Sequence, residues 1–217
     1  DWLFPTYRDT VAVIARGVPP LEVMVAYQGT WHQGYDPQKH HVSIQSTPLT
    51  TQMLHAVGMA KAARLRGEEV VCLAMVGDGG TSEGDFHEAL NFAAVFKLPV
   101  IFFVQNNKFA ISVPFAKQSA APSLDHKAVG YGLAGERVDG NDLGALLAAF
   151  DESLPFARTP DQIAVGDRIS IADAAGYTMV KKNWFNGVAM PAIAIREEDA
   201  TIRTVRSFPY EDYKSSL

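Results

Sequence analysis

Asp78 sits in a turn of small residues, Gly77-Asp78-Gly79-Gly80-Thr81, where an apolar run ends abruptly. After twenty-six further residues (80–105), a second apolar run gives way to Asn106-Asn107. A carboxylate, an amide oxygen and exposed backbone carbonyls are hard donors, suited to Mg²⁺ or Ca²⁺ and unsuited to zinc. Mg²⁺ keeps few protein ligands and shares its octahedron readily with phosphate oxygens. Glycines at 77, 79 and 80 would let backbone approach a polyphosphate, and the helix expected next would offer its N-terminus to the same anion. Together the two turns describe a Mg²⁺–diphosphate site. Competing phosphate motifs do not fit. The glycine spacing is not G-x-G-x-x-G, and the G-K-[ST] ending of a Walker A loop is absent.

The elements around these turns explain how they could meet. "VVCLAMV" (70–76) is a continuous apolar run with β-branched residues, as expected for a strand buried on both faces. The following "SEGDFHEALNFAAVFK" has helical periodicity, with Ser82 and Asp85 spaced like a capping box and an apolar stripe of Phe86, Leu90, Ala93 and Phe96. Pro99 ends it, and "VIFFVQ" (100–105) is a second buried strand. Strand, helix and strand in this order make a βαβ unit with a parallel sheet, whose ligand edge lies beyond the carboxyl ends of the strands. Both turns fall at that edge. A helix is also expected from Thr50 to Arg66, with Leu54, Val57 and Leu65 on its apolar side and "RGEE" as its stop. Beyond about Phe150 the texture changes. Residues 151–160 are linker-like, and 161–217 alternate like strands, with a hairpin around "EEDA". The expected organisation is an open α/β domain over 1–150, a junction at 151–160 and a small all-β segment over 161–217.

Composition narrows the function classes. The chain has 217 residues, 47% of them hydrophobic, and a net charge of −5 with no Lys/Arg-rich run, which argues against a nucleic-acid partner. The single cysteine, Cys72, lies within an apolar run and is expected as a small buried hydrophobe. No stretch approaches the roughly 20 apolar residues of a membrane helix, and nothing resembles a secretory signal, so a cytoplasmic location is expected. His41, His55 and His87 are expected in packing or surface roles.

Gly77-Asp78-Gly79, twenty-six residues, then Asn106-Asn107 resembles the thiamine-diphosphate motif of the 2-oxo acid dehydrogenases. The whole stretch "GDGGTSEGDFHEALNFAAVFKLPVIFFVQNNKFAISVP", with "PTYRDT" before it and "GYGLAGERVDGND" after it, is similar to the alpha subunit of their decarboxylating first component, of pyruvate and branched-chain type. The resemblance covers roughly residues 1–150 and implies an incomplete thiamine-diphosphate-binding fold. It implies that Asp78, Asn107 and the carbonyl of Phe109 hold Mg²⁺, and that Tyr7, Arg8 and the Gly77, Gly79 and Gly80 backbone meet the cofactor. Gln105 stands where some members carry an arginine to the phosphate. "STPLTTQ" (46–52) resembles the branched-chain group, in which Ser46, Thr51 and Gln52 would sit by a monovalent cation. The implied reaction is oxidative decarboxylation of a 2-oxo acid, pyruvate or branched-chain, with acyl transfer to a lipoyl-bearing acyltransferase. The implied partner is a beta subunit, which supplies the acid that activates the cofactor, so this chain forms half a site.

Past "VDGND" no histidine-bearing loop of the type "YR-x-G-x-H" follows. Residues 158–217 instead resemble the C-terminal β-barrel of fold-type III pyridoxal-phosphate decarboxylases, through Gly176-Tyr177-Thr178 and Phe185-Asn186-Gly187. The covalent lysine of that family lies in a barrel missing here, and Lys181 and Lys182 lie outside any matching motif. The tail is therefore expected to be functionally silent. The alternative to the dehydrogenase subunit is a non-catalytic fusion of two fragments joined near 148–160.

Overall fold

The computed structural model describes residues 1–29, 31, 33–45 and 47–158, together with the backbone of strands at 169–172, 193–196 and 202–206. The elements run β1 (Trp2–Phe4), α1 (Thr10–Ala15), α2 (Pro20–Met24), α3 (Pro37–His40), α4 (Thr51–Leu65), β2 (Cys72–Gly77), α5 (Gly84–Phe96) and β3 (Val100–Gln105). They continue with β4 (Phe109–Ala110), β5 (Val113–Pro114), α6 (Asp125–Gly130), β6 (Glu136–Arg137), α7 (Leu143–Arg158), β7 (Ile169–Ala172), β8 (Ile193–Arg196) and β9 (Ile202–Arg206). By contacts the chain divides into two units, Asp1–Ala174 and Ala175–Leu217.

In the first unit, five parallel strands form one sheet in the order β1-β2-β3-β7-β6. Side-chain alternation sends the central strands to two cores. Cys72, Ala74 and Val76 of β2 and Val100, Phe102 and Val104 of β3 pack with α4 and α5. Met75 and Phe103 face the other way, toward Val13, Val23 and the partly buried Leu146 and Phe150. Strands covered on both faces read as unbroken apolar runs, which is why β2 and β3 were legible in the sequence. The fold is the expected open α/β type.

Three local expectations are corrected. The capping box is not formed: Asp78–Ser82 make a 3-10 turn, α5 begins at Gly84, and Ser82 Oγ reaches only the Gln118 carbonyl at 3.4 Å. The tight turn uses the residues that would have capped an earlier start. On α4, Leu65 is exposed, and the buried face is built from Met53, Ala56, Val57, Ala60 and Ala63. Small alanines let the helix lie close to α5, and only then is the buried stripe evident. On α5, Phe86, Leu90 and Ala93 are buried as expected, but Phe96 is partly exposed and stacks on Phe92.

Residues 151–158 are the second half of α7 and not a linker, in spite of Pro155 inside the helix. A helix-interior proline costs about 3 kcal/mol. Packing on both sides of it offsets that cost. Phe150 stacks on Phe103 with ring centroids 5.5 Å apart, and Leu154 and Ala157 join Val71 and Ile101 in a third cluster. "ISIA", expected in the β tail, is β7, inserted between β3 and β6 of the parallel sheet. In the second unit, β8 and β9 pair antiparallel, Arg196 opposite Ile202, as the hairpin around "EEDA" requires. Tyr177, Lys181, Lys182 and the two tripeptides that carry the second resemblance lie outside the described residues.

Candidate functional site

The expected site residues leave the sheet from three neighbouring strand ends. The parallel registers, Phe4 with Ala74 and Gly77 with Gln105, put the exits of β1, β2 and β3 at one edge. Tyr7-Arg8 follows β1, Asp78 follows β2, and Asn106-Asn107 follows β3. This is the edge where open parallel sheets receive ligands.

Asp78 is 2% exposed. Burial pushes its carboxyl up to about 6. The backbone N–H groups of Asn107, Asp78 and Gly79 and the Gln118 amide favour the anion and oppose that shift. Gln118 Nε2 lies 3.5 Å from Asp78 Oδ2 and donates to the Val113 carbonyl at 2.8 Å. Gln118 Oε1 is buried without a hydrogen-bond partner, 3.8 Å from where a Cβ on Gly79 would stand. A buried carboxylate held by neutral donors and an orphaned oxygen beside the same turn fit an oxygen-preferring cation. Among the described residues no three His, Cys, Asp or Glu side chains gather as a metal cluster. A metal here must draw on amide and carbonyl oxygens, as Mg²⁺ does when it keeps water or phosphate ligands.

The second turn supplies such oxygens. Asn107 Oδ1 accepts from Phe109 N and Asn106 Oδ1 from Lys108 N, both at 2.9 Å, and Lys108 takes a left-handed φ of 67°. These Asx turns deliver the chain into the β4–β5 hairpin, which lies against the Asp78 turn. A Cβ on Gly79 would meet Ala110 Cβ at 2.7 Å, and one on Gly80 would meet Val76 Cγ2 at 2.7 Å. Two of the three glycines are thus required by the protein's own close packing. Only Gly77 has nothing within 4 Å of a Cβ position, so its backbone alone is left open for a ligand's approach. The 3-10 turn also separates Asp78 from α5, and Glu83 and Asp85 stand at the helix start, weakening the attraction expected there for phosphate.

Lys127 locks the turn from behind. Its Nζ donates to the Thr81 carbonyl at 2.7 Å and to Thr81 Oγ1 at 3.0 Å, while Thr81 Oγ1 donates to the Asp78 carbonyl at 2.7 Å. At the β1 exit, the Arg8 guanidinium stacks on the Tyr7 ring, 4.5 Å from its centroid, and Tyr27 Oη donates to the Tyr7 carbonyl at 3.2 Å. Asp9, 7% exposed, accepts from Thr6 N at 2.7 Å, Thr6 Oγ1 at 2.6 Å and Gln105 Nε2 at 3.0 Å. Burial raises its carboxyl, against those hydrogen bonds and the Arg8 charge. Sequence reasoning missed Asp9, Gln118 and Lys127, and gave Gln105 no protein partner. The available signal was position alone: Asp9 directly follows Tyr7-Arg8, and Gln105 ends the strand before Asn106.

Near the residues expected around a monovalent cation, Gln52 is buried and donates to the Met75 carbonyl at 2.7 Å, Thr51 opens α4, and Ser46 lies outside the described residues. Cys72 is fully buried and its thiol is pushed up to about 12, so it acts as a core residue. His55 is exposed, His41 stacks on Trp2, and His87 Nδ1 lies 2.8 Å from Tyr131 Oη. Among the described residues no helix is long and apolar enough to cross a membrane.

Compared with known families, residues 1–166 match the model described as dehydrogenase E1 component. The chain belongs to that family. The E1 match runs past residue 150, where the resemblance was expected to stop, and through the whole of α7. A 3-methyl-2-oxobutanoate dehydrogenase subunit alpha of Mycobacterium tuberculosis is 53% identical over 179 residues, 82% of this E1 chain and 47% of its own. A 2-oxoisovalerate dehydrogenase subunit alpha of Bacillus subtilis is 40% identical over 168 residues, covering 73% and 51%. A pyruvate dehydrogenase E1 component subunit alpha of Staphylococcus aureus is 39% identical over 153 residues, covering 70% and 41%. The E1 chain thus spans about half the length of these relatives.

Proposed function

We propose that this chain is the cofactor-holding part of a 2-oxo acid dehydrogenase alpha subunit, binding thiamine diphosphate through Mg²⁺. The observation that carries this reading is the buried Asp78 carboxylate, held by neutral donors beside the Asn107 turn. Asp78, Asn107 Oδ1 and the Phe109 carbonyl are the protein's metal ligands. Arg8 is a forked donor suited to the diphosphate, with Tyr7 supporting its guanidinium, and the open Gly77 backbone lets the phosphates approach. Gly79 and Gly80 contribute by allowing the close packing that shapes the turn.

When bound, thiamine diphosphate supplies the electron sink on which a 2-oxo acid loses CO₂. This chain's residues hold and orient the cofactor. Asp78 must be ionised to hold the metal, and the buried turn excludes water from that bond. The relatives at 53% and 40% identity are named for branched-chain 2-oxo acids, and the one at 39% for pyruvate, so we take a branched-chain 2-oxo acid as the substrate. A beta subunit and a lipoyl-bearing acyltransferase complete the reading as partners, and a monovalent cation near Thr51 and Gln52 belongs to it.

Thermal unfolding with Mg²⁺ and thiamine diphosphate, singly and together, tests the proposal. At a ligand excess of about 100-fold over Kd, binding to the folded state adds roughly 2.7 kcal/mol, which is several degrees of Tm for a chain of this size. The expected result is a shift that needs both components and is absent in D78A. An unshifted Tm in the unmutated chain, with its beta subunit present, would overturn it.

A further inference from the structure

One part-buried hydrogen bond joins the end of β3 to the loop that follows β1. β1 and β3 flank β2, two strand spacings or roughly 9–10 Å apart, and β1 stops at Phe4, opposite Ala74, while β3 runs on to Gln105, opposite Gly77. Gln105, the last residue of β3, donates from Nε2 to Asp9 Oδ1 at 3.0 Å. In the register, residue 77 lies opposite Gln105, and as glycine it carries no side chain beside it. The far end of the bond is equally fixed. Asp9 Oδ2 accepts both the backbone N–H and the hydroxyl of Thr6, Arg8 N donates to Thr6 Oγ1 at 3.1 Å, and Gln45 Nε2 donates to the Thr6 carbonyl at 3.0 Å. The carboxylate therefore closes the turn from which Tyr7 and Arg8 project. The near end is one peptide bond from Asn106, so Gln105 sets where the Asn106-Asn107 turn starts.

We propose that Gln105 and Asp9 are positioning residues: their bond across the end of β2 fixes the Tyr7-Arg8 loop relative to the Asn106-Asn107 turn. This rests on the reading of those two segments as the diphosphate and metal sides of one site. Neither residue needs to touch the cofactor. The pair makes the two sides a single preformed unit, so that metal and diphosphate meet groups already in place. A neutral carboxamide suits the span because it donates to Asp9 without bringing a charge to the strand tip.

The test uses the full chain with Q105M, D9N and the double variant. Hydrogen bonds to charged groups are worth enough that losing this one should weaken binding of Mg²⁺–thiamine diphosphate about tenfold in Q105M, measured by titration at saturating Mg²⁺. The double variant should bind no worse than the weaker single variant, since both remove one link. In the unliganded chain, hydrogen exchange should speed up in the segment 4–12 and at 106–109 while 64–71, at the opposite edge of the sheet, stays protected. A general loss of stability would raise exchange at all three. Losses that add in the double variant, or exchange that rises uniformly, would overturn the positioning role. So would unchanged affinity in Q105M while the unmutated chain binds. If the unmutated chain binds no Mg²⁺–thiamine diphosphate at all, the cofactor reading falls, and this inference with it.

Discussion

The two edges of the sheet treat charge in opposite ways. At the amino edge the acids are matched by arginines near water: Arg158 pairs with Asp1, and Arg66 with Glu68 across 2.7 Å. At the carboxyl edge, Asp78 and Asp9 are buried, and the groups that bond them are neutral. Left-handed backbone occurs at both edges, Lys97 taking a φ of 50° at the amino one, but the β-branched cases stand beside the carboxyl edge: Thr50, fully buried, and Ile111 have φ values of 65° and 56°, at a cost of order 1–3 kcal/mol each. An edge that only closed the fold would resemble the amino one. The carboxyl edge is held in a less stable arrangement, whose cost a bound cation would offset.

The largest expected effect tests that trade directly. A carboxyl shifted from 3.8 to about 6 by burial makes the unliganded fold less stable as pH rises from about 4 through 6, with no further loss from this group above that. The full penalty is up to about 3 kcal/mol. Asp78→Asn keeps the shape and removes the charge, so at pH 7.5 the unliganded variant should melt several degrees higher than the parent. The difference should vanish near pH 4, and Mg²⁺ should no longer raise its Tm. In the parent, Mg²⁺ affinity should fall as pH drops below about 6, because protons compete for the same oxygen. Melting curves across this pH range check both signs. If D78N is no more stable at pH 7.5, the carboxylate is not the strained group that the comparison requires.

How much of this was legible in the sequence follows from where the contacts lie. The order and type of the elements from β2 to β3 were readable, though not the start of α5 or the exposure of Phe96. The strands are apolar throughout, the turns are rich in glycine and asparagine, and the partners are close in the chain. The Asp78 turn and the Asn107 turn could be paired by topology alone. Helix α7 was hidden by Pro155 and the acids Asp151 and Glu152, a linker's composition on a helix whose stripe from Phe150 to Ala157 shows only against the third cluster. β7 was hidden because a four-residue alternation does not reveal that it inserts between β3 and β6. The Asp9–Gln105 bond spans 96 residues and leaves no spacing signature.

The glycines sharpen the comparison on a smaller scale. In G79A the new Cβ would lie 2.7 Å from Ala110 Cβ, so the hairpin must shift, at a cost of about 1–3 kcal/mol. Mg²⁺ dependence should weaken with it, since the Phe109 carbonyl moves with Ala110. In G77A the Cβ enters open space at an ordinary negative φ of −80°, so stability should change by less than about 0.5 kcal/mol. Any loss of cofactor affinity in G77A is then a loss of ligand approach. Equal destabilisation by the two substitutions, read from urea midpoints, would contradict this division of labour.

The smallest expected effect belongs to the amino edge, and it matters because it should be absent. Arg66 and Glu68 make a two-pronged bond at 2.7 and 2.9 Å, with side chains 55% and 47% exposed. Geometry that good could be mistaken for a source of stability. Water and salt screen such a pair, and holding two long side chains in one place costs the entropy that the attraction returns. R66A should leave Tm and Mg²⁺ affinity unchanged, at low salt and high salt alike. A drop in Tm that disappears on adding salt would mean that the amino edge also stores electrostatic energy. The contrast between the edges would then be one of sign, with matched charges stabilising one end and the buried Asp78 carboxylate destabilising the other.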